Sequence, residues 1–383
     1  MVGAVRAGTS MRAVARRFDV SVGSVAFWVA RVHGMRLDRV DFDDRKPGSA
    51  WNRTSATLER RILALRAQLR HSVLGECGAP AIRAALEAAH SKQVPALATI
   101  NRVLARHGAQ DYAHRIRRPA PPRGWYLPAL AAGAAELDSF DLIEDLKIAN
   151  GPLISVLTGT SLHGGLVDAW PLHPVCAKAV LQCLVERWRI EGLPDYAQFD
   201  NDTLFQGAHQ FANTVGRISR LCLALGIVVV FAPPREPGFQ NAIEGFNGLW
   251  QAKLWQRYSF RDLAQLRQLS SRYISAHRTR SAARREQAPQ RRAFPKGFQL
   301  ELNAPLNGTI IYLRRTDDAG RVHLLGQSFP VAKIWLHRLV RCEVDFAAAQ
   351  IRFYALRRRQ PEEQPLLRVT AYHRVYKPFK GQP

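Results

Sequence analysis

Residues 196–206 read YAQFDNDTLFQ, a short apolar run that stops at Asp200 and is followed at once by Asn201 and Asp202. Tyr196–Phe199 is too short for a helix and has the length of a buried strand. Acidic groups at the end of such a strand are poorly placed for a core. They ask for a role at a sheet end, the more so in a chain of formal net charge +24. The surroundings supply the sheet. Upstream, Val175–Arg189 carries Val180, Leu181, Leu184, Val185 and Trp188 on one helical side. Downstream, a helix is expected over Ala212–Leu225, and Ile227–Phe231 (IVVVF) is a β-branched run too short to be a helix. Before these, Leu137–Leu142, Leu153–Gly159 and Gly165–Trp170 read as three strands. After them, a loop over Pro233–Gly238 leads into a helix bearing Glu244. The order of three strands, helix, strand, helix, strand, helix predicts a mixed sheet flanked by helices.

Bulk properties bound the rest. A chain of 383 residues predicts roughly two to four domains. Lys and Arg number 55 against 31 Asp and Glu, with a sequence pI near 10.8, which favours a polyanionic partner, nucleic acid before membrane. The longest apolar stretch, from Leu221, is shorter than the ~20 residues of a spanning helix, so no membrane partner is expected. Five scattered cysteines without CxxC spacing point to reduced thiols of a cytosolic protein and core filling rather than to a zinc site.

The N-terminal hundred residues are helical in pattern. Ser10 and Ser21 are suited to capping two short helices separated by Asp19-Val20, a helix-turn-helix pattern within a first domain, 1–50. Arg12, Arg16, Arg17 and Arg31 fall on its exposed faces, and a groove-binding second helix is the expectation. Only a turn and a half precedes Gly8 where a three-helix unit needs a first helix. A second helical domain, 51–110, carries helices over Leu58–Leu69, Ala79–Ala88 and Ala98–Arg106, with Arg102 and Arg106 exposed. Residues 111–133 read as a basic, Pro-rich linker (HRIRRPAPPRG). A catalytic domain is expected over 134–282. The last domain, 283–383, alternates apolar and polar residues at Leu339–Phe346 and carries strand patterns at Thr309–Leu313, Val322–Leu325 and Ile351–Leu356. TDDAG reads as a hairpin turn, and the whole as a small β-barrel.

Three acids then have a destination: Asp138 on the first strand, Asp200 at the end of the fourth, and Glu244 in the first turns of the helix after the fifth. Carboxylates gathered without partners repel, and a hard divalent cation relieves them. Asp141 is an alternative first acid on the opposite face of its strand from Asp138, which lies deeper and is favoured. Asp202 reads as a turn residue but stands as an alternative to Asp200. His163 reads as structural.

Leu137-Asp138, Phe199-Asp200-Asn201, and the run Pro237, Gly238, Asn241, Glu244, Asn247 resemble the catalytic domain of the retroviral integrase and insertion-sequence transposase superfamily, over about residues 134–282. The run Pro-Gly-x-x-Asn-x-x-Glu-x-x-Asn is the most specific of these. The resemblance implies a multidomain α/β protein: a ribonuclease H-like mixed sheet core, helix-turn-helix domains before it, and a small β-barrel after it. It implies Asp138, Asp200 and Glu244 as catalytic metal ligands for two Mg²⁺ or Mn²⁺ ions. Asn241, Asn247, Gln251 and Lys253 would lie beside the DNA. The activity implied is a DDE-type polynucleotidyl transferase that cleaves DNA ends and joins them to a target in transposition. The partners implied are double-stranded DNA and further copies of the chain, with an accessory ATPase also allowed, in the nucleoid of a bacterial cytoplasm. Two departures stand: Asp202 replaces the usual Gly, and forty-three residues separate Asp200 from Glu244, more than is usual. The alternatives are an inactive transposase-derived DNA-binding regulator and a nuclease without strand transfer.

Overall fold

The computed structural model describes residues 1–40, 54–91, 94–110, 123–149, 151–208, 211–236, 238–358 and 360–374. The linker 41–53, the basic stretch 114–122 and Pro237 of the glycine-asparagine run lie outside the described residues. The chain forms two compact units, Met1–Leu63 and Ala64–Pro383.

In the first unit, α1 (Val2–Arg6), α2 (Met11–Arg17) and α3 (Val22–Arg31) pack around Val14, Ala15 and Val25. The two serines cap as their spacing suggests. Ser10 accepts from the Ala13 amide, and Ser21 from the Ser24 amide. The short α1 completes a three-helix unit. Its Arg6 donates to the carbonyls of Val32 (2.5 Å) and Met35 (2.9 Å), tying α1 to the turn that follows α3. Helix α4 (Ala56–Arg70) runs across the boundary between the units.

The second unit continues with α5 (Ala79–Ala88) and α6 (Leu97–Arg106), whose Ile82, Leu86, Ile100, Val103 and Leu104 are buried at helical spacing. Then come α7 (Pro128–Ala131), β1 (Leu137–Lys147), β2 (Leu153–Ser161), β3 (Val167–Leu172), α8 (Ala177–Glu191), β4 (Tyr196–Phe199), α9 (Thr203–Gln206), α10 (Arg217–Ala224), β5 (Val228–Phe231) and α11 (Asn241–Trp250). A single π-helical turn, Gln251–Trp255, prolongs α11. Helices α12 (Leu263–Arg280) and α13 (Ala282–Glu286) follow, then β6 (Thr309–Arg315), β7 (Arg321–Leu324), β8 (Gln327–Pro330), β9 (Leu339–Asp345), β10 (Gln350–Ala355) and β11 (Leu366–Ala371).

Nine strands make one sheet, in the order β11-β10-β9-β6-β5-β4-β1-β2-β3. β1, β2 and β3 pair as an antiparallel meander. β4, β5 and β6 then add in parallel to β1. An aromatic row crosses one face: Phe140 lies 5.5 Å from Phe199, Phe199 6.4 Å from Phe231, and Phe231 5.2 Å from Tyr312. Helices α8 and α10 bury Val180, Leu184, Trp188, Ile218 and Leu221 in the same core. On the other face, Ile143 and Val156 pack with Ile243, Phe246 and Trp250 of α11 and with Leu266 and Tyr273 of α12.

The expected separate C-terminal barrel is replaced by an extension of this sheet. β6 pairs in parallel with β5, through Val229–Ile310 and Phe231–Tyr312, and β9 pairs antiparallel with β6. The reason is legible in TIIYL. Ile310, Ile311, Tyr312 and Leu313 are all buried, the continuous pattern of a strand covered on both faces. TDDAG does turn, the Gly320 amide donating to the Asp317 carbonyl and the Asp317 amide to the Arg321 carbonyl, but the strand after it, β7, pairs with β8 and not with β6. That hairpin turns at Leu325 (φ 52°) and Gly326 (φ 66°), the two consecutive positive values of a tight two-residue connection. The end of the expected linker 111–133 is likewise part of the core. Trp125, Tyr126, Leu127 and Leu130 are buried, and Arg341 and Gln364 donate to the carbonyls of Tyr126 and Trp125. Four large apolar groups within six residues repay burial better than exposure to solvent.

Candidate active site

Strand alternation divides the acids of β1. Asp138 and Phe140 face the α8 side, whereas Ser139, Asp141 and Ile143 face α11.

Asp138 is fully buried and bound on all sides by protein. Arg187 of α8 reaches it through both Nε and Nη2 at 3.0 Å, and Trp188 Nε1 donates at 3.1 Å. Arg291 adds two bonds of 3.0 and 2.7 Å. Burial opposes its ionisation, but the guanidiniums of Arg187 and then Arg291 overcome it and hold the carboxyl far below the usual carboxylate range. Arg187 also bridges to Asp168, and Arg278 joins Asp168 to Glu191. Asp138 is therefore the centre of an internal ion network with its lone pairs occupied. It is not brought together with Asp200 and Glu244. The expectation that favoured it for depth fails for that reason: depth put it beneath α8.

Asp141 has the opposite environment. Its Oδ2 accepts from Asn247 Nδ2 at 2.7 Å, and Asn247 Oδ1 in turn accepts from Thr158 Oγ1 at 2.7 Å. Thr158 stands directly across from Asp141 in β2, so the strand register and α11 together fix the rotamer. Burial and then the charge of Asp200 push the Asp141 carboxyl up to about 6, with Glu244 adding in the same direction. Asp200 is also raised, by burial first and then by Asp202 and Glu144. Carboxylates raised by neighbouring carboxylates mark a place short of positive charge. Among the described residues, no three His, Cys, Asp or Glu side chains are gathered closely enough to hold a metal ion. Glu244 itself is exposed on the first turn of α11.

The loop after β4 is held from two directions. Asp200 Oδ1 accepts the Asp202 amide at 3.1 Å, and Asp202 caps α9 by accepting from Leu204 at 2.7 Å, which occupies it as a cap. Asn201 donates to the Ala232 carbonyl at 2.6 Å and accepts from Arg314 Nη2 at 2.8 Å. Arg314, on β6, is buried, lies over the Tyr312 ring at 5.0 Å, and otherwise bonds only backbone carbonyls among the described residues. Arg314 and Thr158 carried no motif signal. Their roles depend on strand register, which a single sequence does not print.

The remaining expected residues are dispersed. Asn241 is exposed at the start of α11, Asn247 is buried as described, and Gln251 is half-buried at the start of the π turn. Lys253 donates to the Gly75 carbonyl at 3.0 Å, and Arg257 to Ser72 at 2.8 Å, so these cations hold the segment before α5. Arg12, Arg16, Arg17 and Arg31 are exposed on α2 and α3, and Arg102 and Arg106 on α6. His163 is structural, its Nε2 lying 3.1 Å from the Leu130 carbonyl.

No protein-family model matches the chain, and no curated protein matches it. Solved structures do align with it. One is the simian T-cell lymphotropic virus intasome in complex with PP2A regulatory subunit B56 gamma, at 14% identity over 75% of this chain and 91% of that one, TM-score 0.33. A second is the catalytic core domain of BIV integrase, at 18% identity over 37% and 81%, TM-score 0.28. A third is the HTLV-2 integrase catalytic core domain in complex with magnesium, at 11% over 41% and 87%, TM-score 0.28. No helix among the described residues is long and apolar enough to cross a membrane.

Proposed function

We propose that the chain is a DNA strand-transfer enzyme of the transposase and integrase type, with a ribonuclease H-like core in which Asp141, Asp200 and Glu244 form the acidic triad. One observation carries the reading. Asp141, unlike Asp138, shares a charge environment with Asp200 and Glu244: burial first and then these two acids raise its proton affinity. The strand order β3-β2-β1-β4-β5 and the run from Gly238 to Asn247 support it.

The donor set consists of hard, anionic carboxylate oxygens, which suits Mg²⁺ or Mn²⁺. Asp141, Asp200 and Glu244 would hold the ions. When bound, such ions polarise a phosphodiester and lower the pKa of an attacking oxygen. The chain's own residues do the rest. Asn247 and Thr158 keep Asp141 aimed to the α11 side. Arg314 and Asn201 fix the loop that presents Asp200. The exposed arginines of α2, α3 and α6 contact phosphates and set register. Cleavage adds water across a phosphodiester and frees a 3′-hydroxyl. Transfer exchanges that hydroxyl for the leaving 3′-oxygen of a target strand, so bonds broken and made balance and no protein nucleophile is needed.

Three tests follow from these roles. Mg²⁺ is expected to raise the unfolding midpoint of the wild type and to leave Asp141→Asn unmoved; an equal rise in both would remove Asp141 from the site. Arg314→Met is expected to cost about 1–3 kcal/mol of stability, because Asn201 and the Ala232 carbonyl lose a buried partner, and to slow joining more than tenfold. The function itself is tested by incubating linear DNA ending in the gene's own flanks with protein, Mg²⁺ and a target plasmid. Joined products are expected for the wild type and none for Glu244→Gln. Products of equal yield from both would contradict the reading.

A second reading, a DNA-binding regulator that has lost its chemistry, is favoured by the exposed Glu244 and by the want of a three-acid cluster among the described residues. It predicts tight binding to the flanks with no joined product at any metal concentration.

A further inference from the structure

Beside the acids, on the same α11 side of the sheet, lies a cavity of about 480 Å³. It opens between β1, β2 and β4, the first turns of α11, and the Arg123–Tyr126 segment. Its lining is unusual in one respect. Ser139 Oγ, Gln198 Nε2, Trp125 Nε1, Gln240 Nε2 and His277 Nδ1 are all buried atoms without a hydrogen-bond partner, and all five residues line this one space. Ser139, Gln198 and Trp125 are 3%, 1% and 1% exposed. Buried polar atoms are almost always paired, so five unpaired ones on residues around one cavity mark a place suited to a polar occupant.

The chemistry of that occupant can be read from the wall. Three of the atoms are N–H donors, Ser139 can donate or accept, and burial keeps His277 below its usual range, hence neutral. Trp125 and Phe239 stand 5.5 Å apart, with Tyr126 5.2 Å from Phe239, so planar apolar faces flank the donors. Tyr126 Oη lies 3.1 Å from Gln198 Oε1, which leaves Gln198 Nε2 unpaired. Arg123 and Arg284 supply positive charge to the lining. A flat ring edged with acceptors and attached to an anion meets every one of these features.

The position is equally specific. Gln198 lies on β4, two residues before Asp200, which stands just past the strand's end. Ser139 precedes Asp141 by two residues on β1, one side-chain repeat on the same face and roughly 7 Å along the strand. That interval is close to one nucleotide of extended chain.

We propose that this cavity receives one unstacked nucleobase of the DNA strand whose neighbouring phosphodiester lies at Asp141 and Asp200. The proposal rests on the strand-transfer reading of those acids. Enzymes that take a base out of the stack read it by hydrogen bonds to its edge and hold it by stacking on aromatic side chains, which favours a strand with a base over one without.

The test is made in EDTA, so that it is independent of chemistry. Binding of a 5′-phosphorylated single-stranded pentanucleotide to the full chain is compared with binding of the same strand lacking its central base. The wild type is expected to prefer the intact strand about tenfold. Gln198→Leu and Ser139→Ala are expected to reduce that preference to within about twofold while leaving affinity for the abasic strand unchanged. Trp125→Phe, which keeps an aromatic ring but removes the N–H together with the rest of the pyrrole ring, gives a third variant. Unfolding midpoints matched to wild type certify each protein. Equal binding of the two strands by the wild type, or a preference retained by all three variants, would overturn the proposal and leave a hydrated cleft. A preference that depends on these residues in a protein that joins no DNA would refute the strand-transfer reading instead.

Discussion

Asp141→Asn is expected to abolish DNA joining, by at least ~10³-fold, the scale on which loss of a catalytic group is felt, while making the metal-free protein more stable. The sign follows from the raised carboxyl. A folded-state value of about 6, against 3.8 for the free group, means that the folded chain holds this proton more tightly than the unfolded one. The stability it confers is complete below pH 3.8 and is lost as pH rises through about 6. At pH 7 the ionised group therefore costs on the order of 1–3 kcal/mol. Asparagine keeps the shape and the Asn247 contact without the charge. Asp138→Asn is expected to do the reverse. It breaks a buried pair with Arg187 and Arg291 and should cost about 3–5 kcal/mol, with activity lost only as far as folded protein is lost. Thermal unfolding at pH 4 and pH 7, beside the joining assay, checks both variants. If Asp138→Asn folds normally and is inactive, the assignment of the two acids is reversed.

Deletion of residues 309–383 is expected to unfold the catalytic unit rather than to release an intact core. A separate barrel could be removed. A sheet that continues through β6 cannot lose it without exposing Val229, Val230 and Phe231 of β5, all buried. The aromatic row would also lose Tyr312, and the Asp200 loop its Arg314. The loss is on the order of the whole 5–15 kcal/mol by which domains are stable. Circular dichroism and limited proteolysis of the truncated chain would read it. A truncated protein with cooperative unfolding and resistance to protease would show that the C-terminal strands are dispensable.

The contrast between these variants traces what the residues alone could say. The apolar runs, the serine caps at Ser10 and Ser21, and the run Gly238, Asn241, Glu244, Asn247 were local, and local patterns are legible: strands β1, β2, β4, β5, β6, β9 and β10 stand within a few residues of their expected bounds, although β1 runs on to Lys147. β8 and β11 were not anticipated, because QSFP and LLRVTA lack clean alternation. Which strand pairs with which is not local. TIIYL could be the edge of a barrel or the middle of a sheet until β5 is seen beside it. The choice between Asp138 and Asp141 turned on the same kind of fact. Alternation correctly put them on opposite faces, but only the packing of α8 and α11 decides which face is filled by arginines and which by acids.

The most direct test of the central claim is made in cells. A marked cassette bounded by the gene's native flanks is supplied with the wild-type protein, with Asp141→Asn or with Asp138→Asn, and new junctions are sequenced beside the amount of folded protein. Junctions with short target duplications are predicted for the wild type, retained in Asp138→Asn in proportion to the folded protein and absent in Asp141→Asn. Junctions formed by Asp141→Asn at the wild-type frequency would contradict the account.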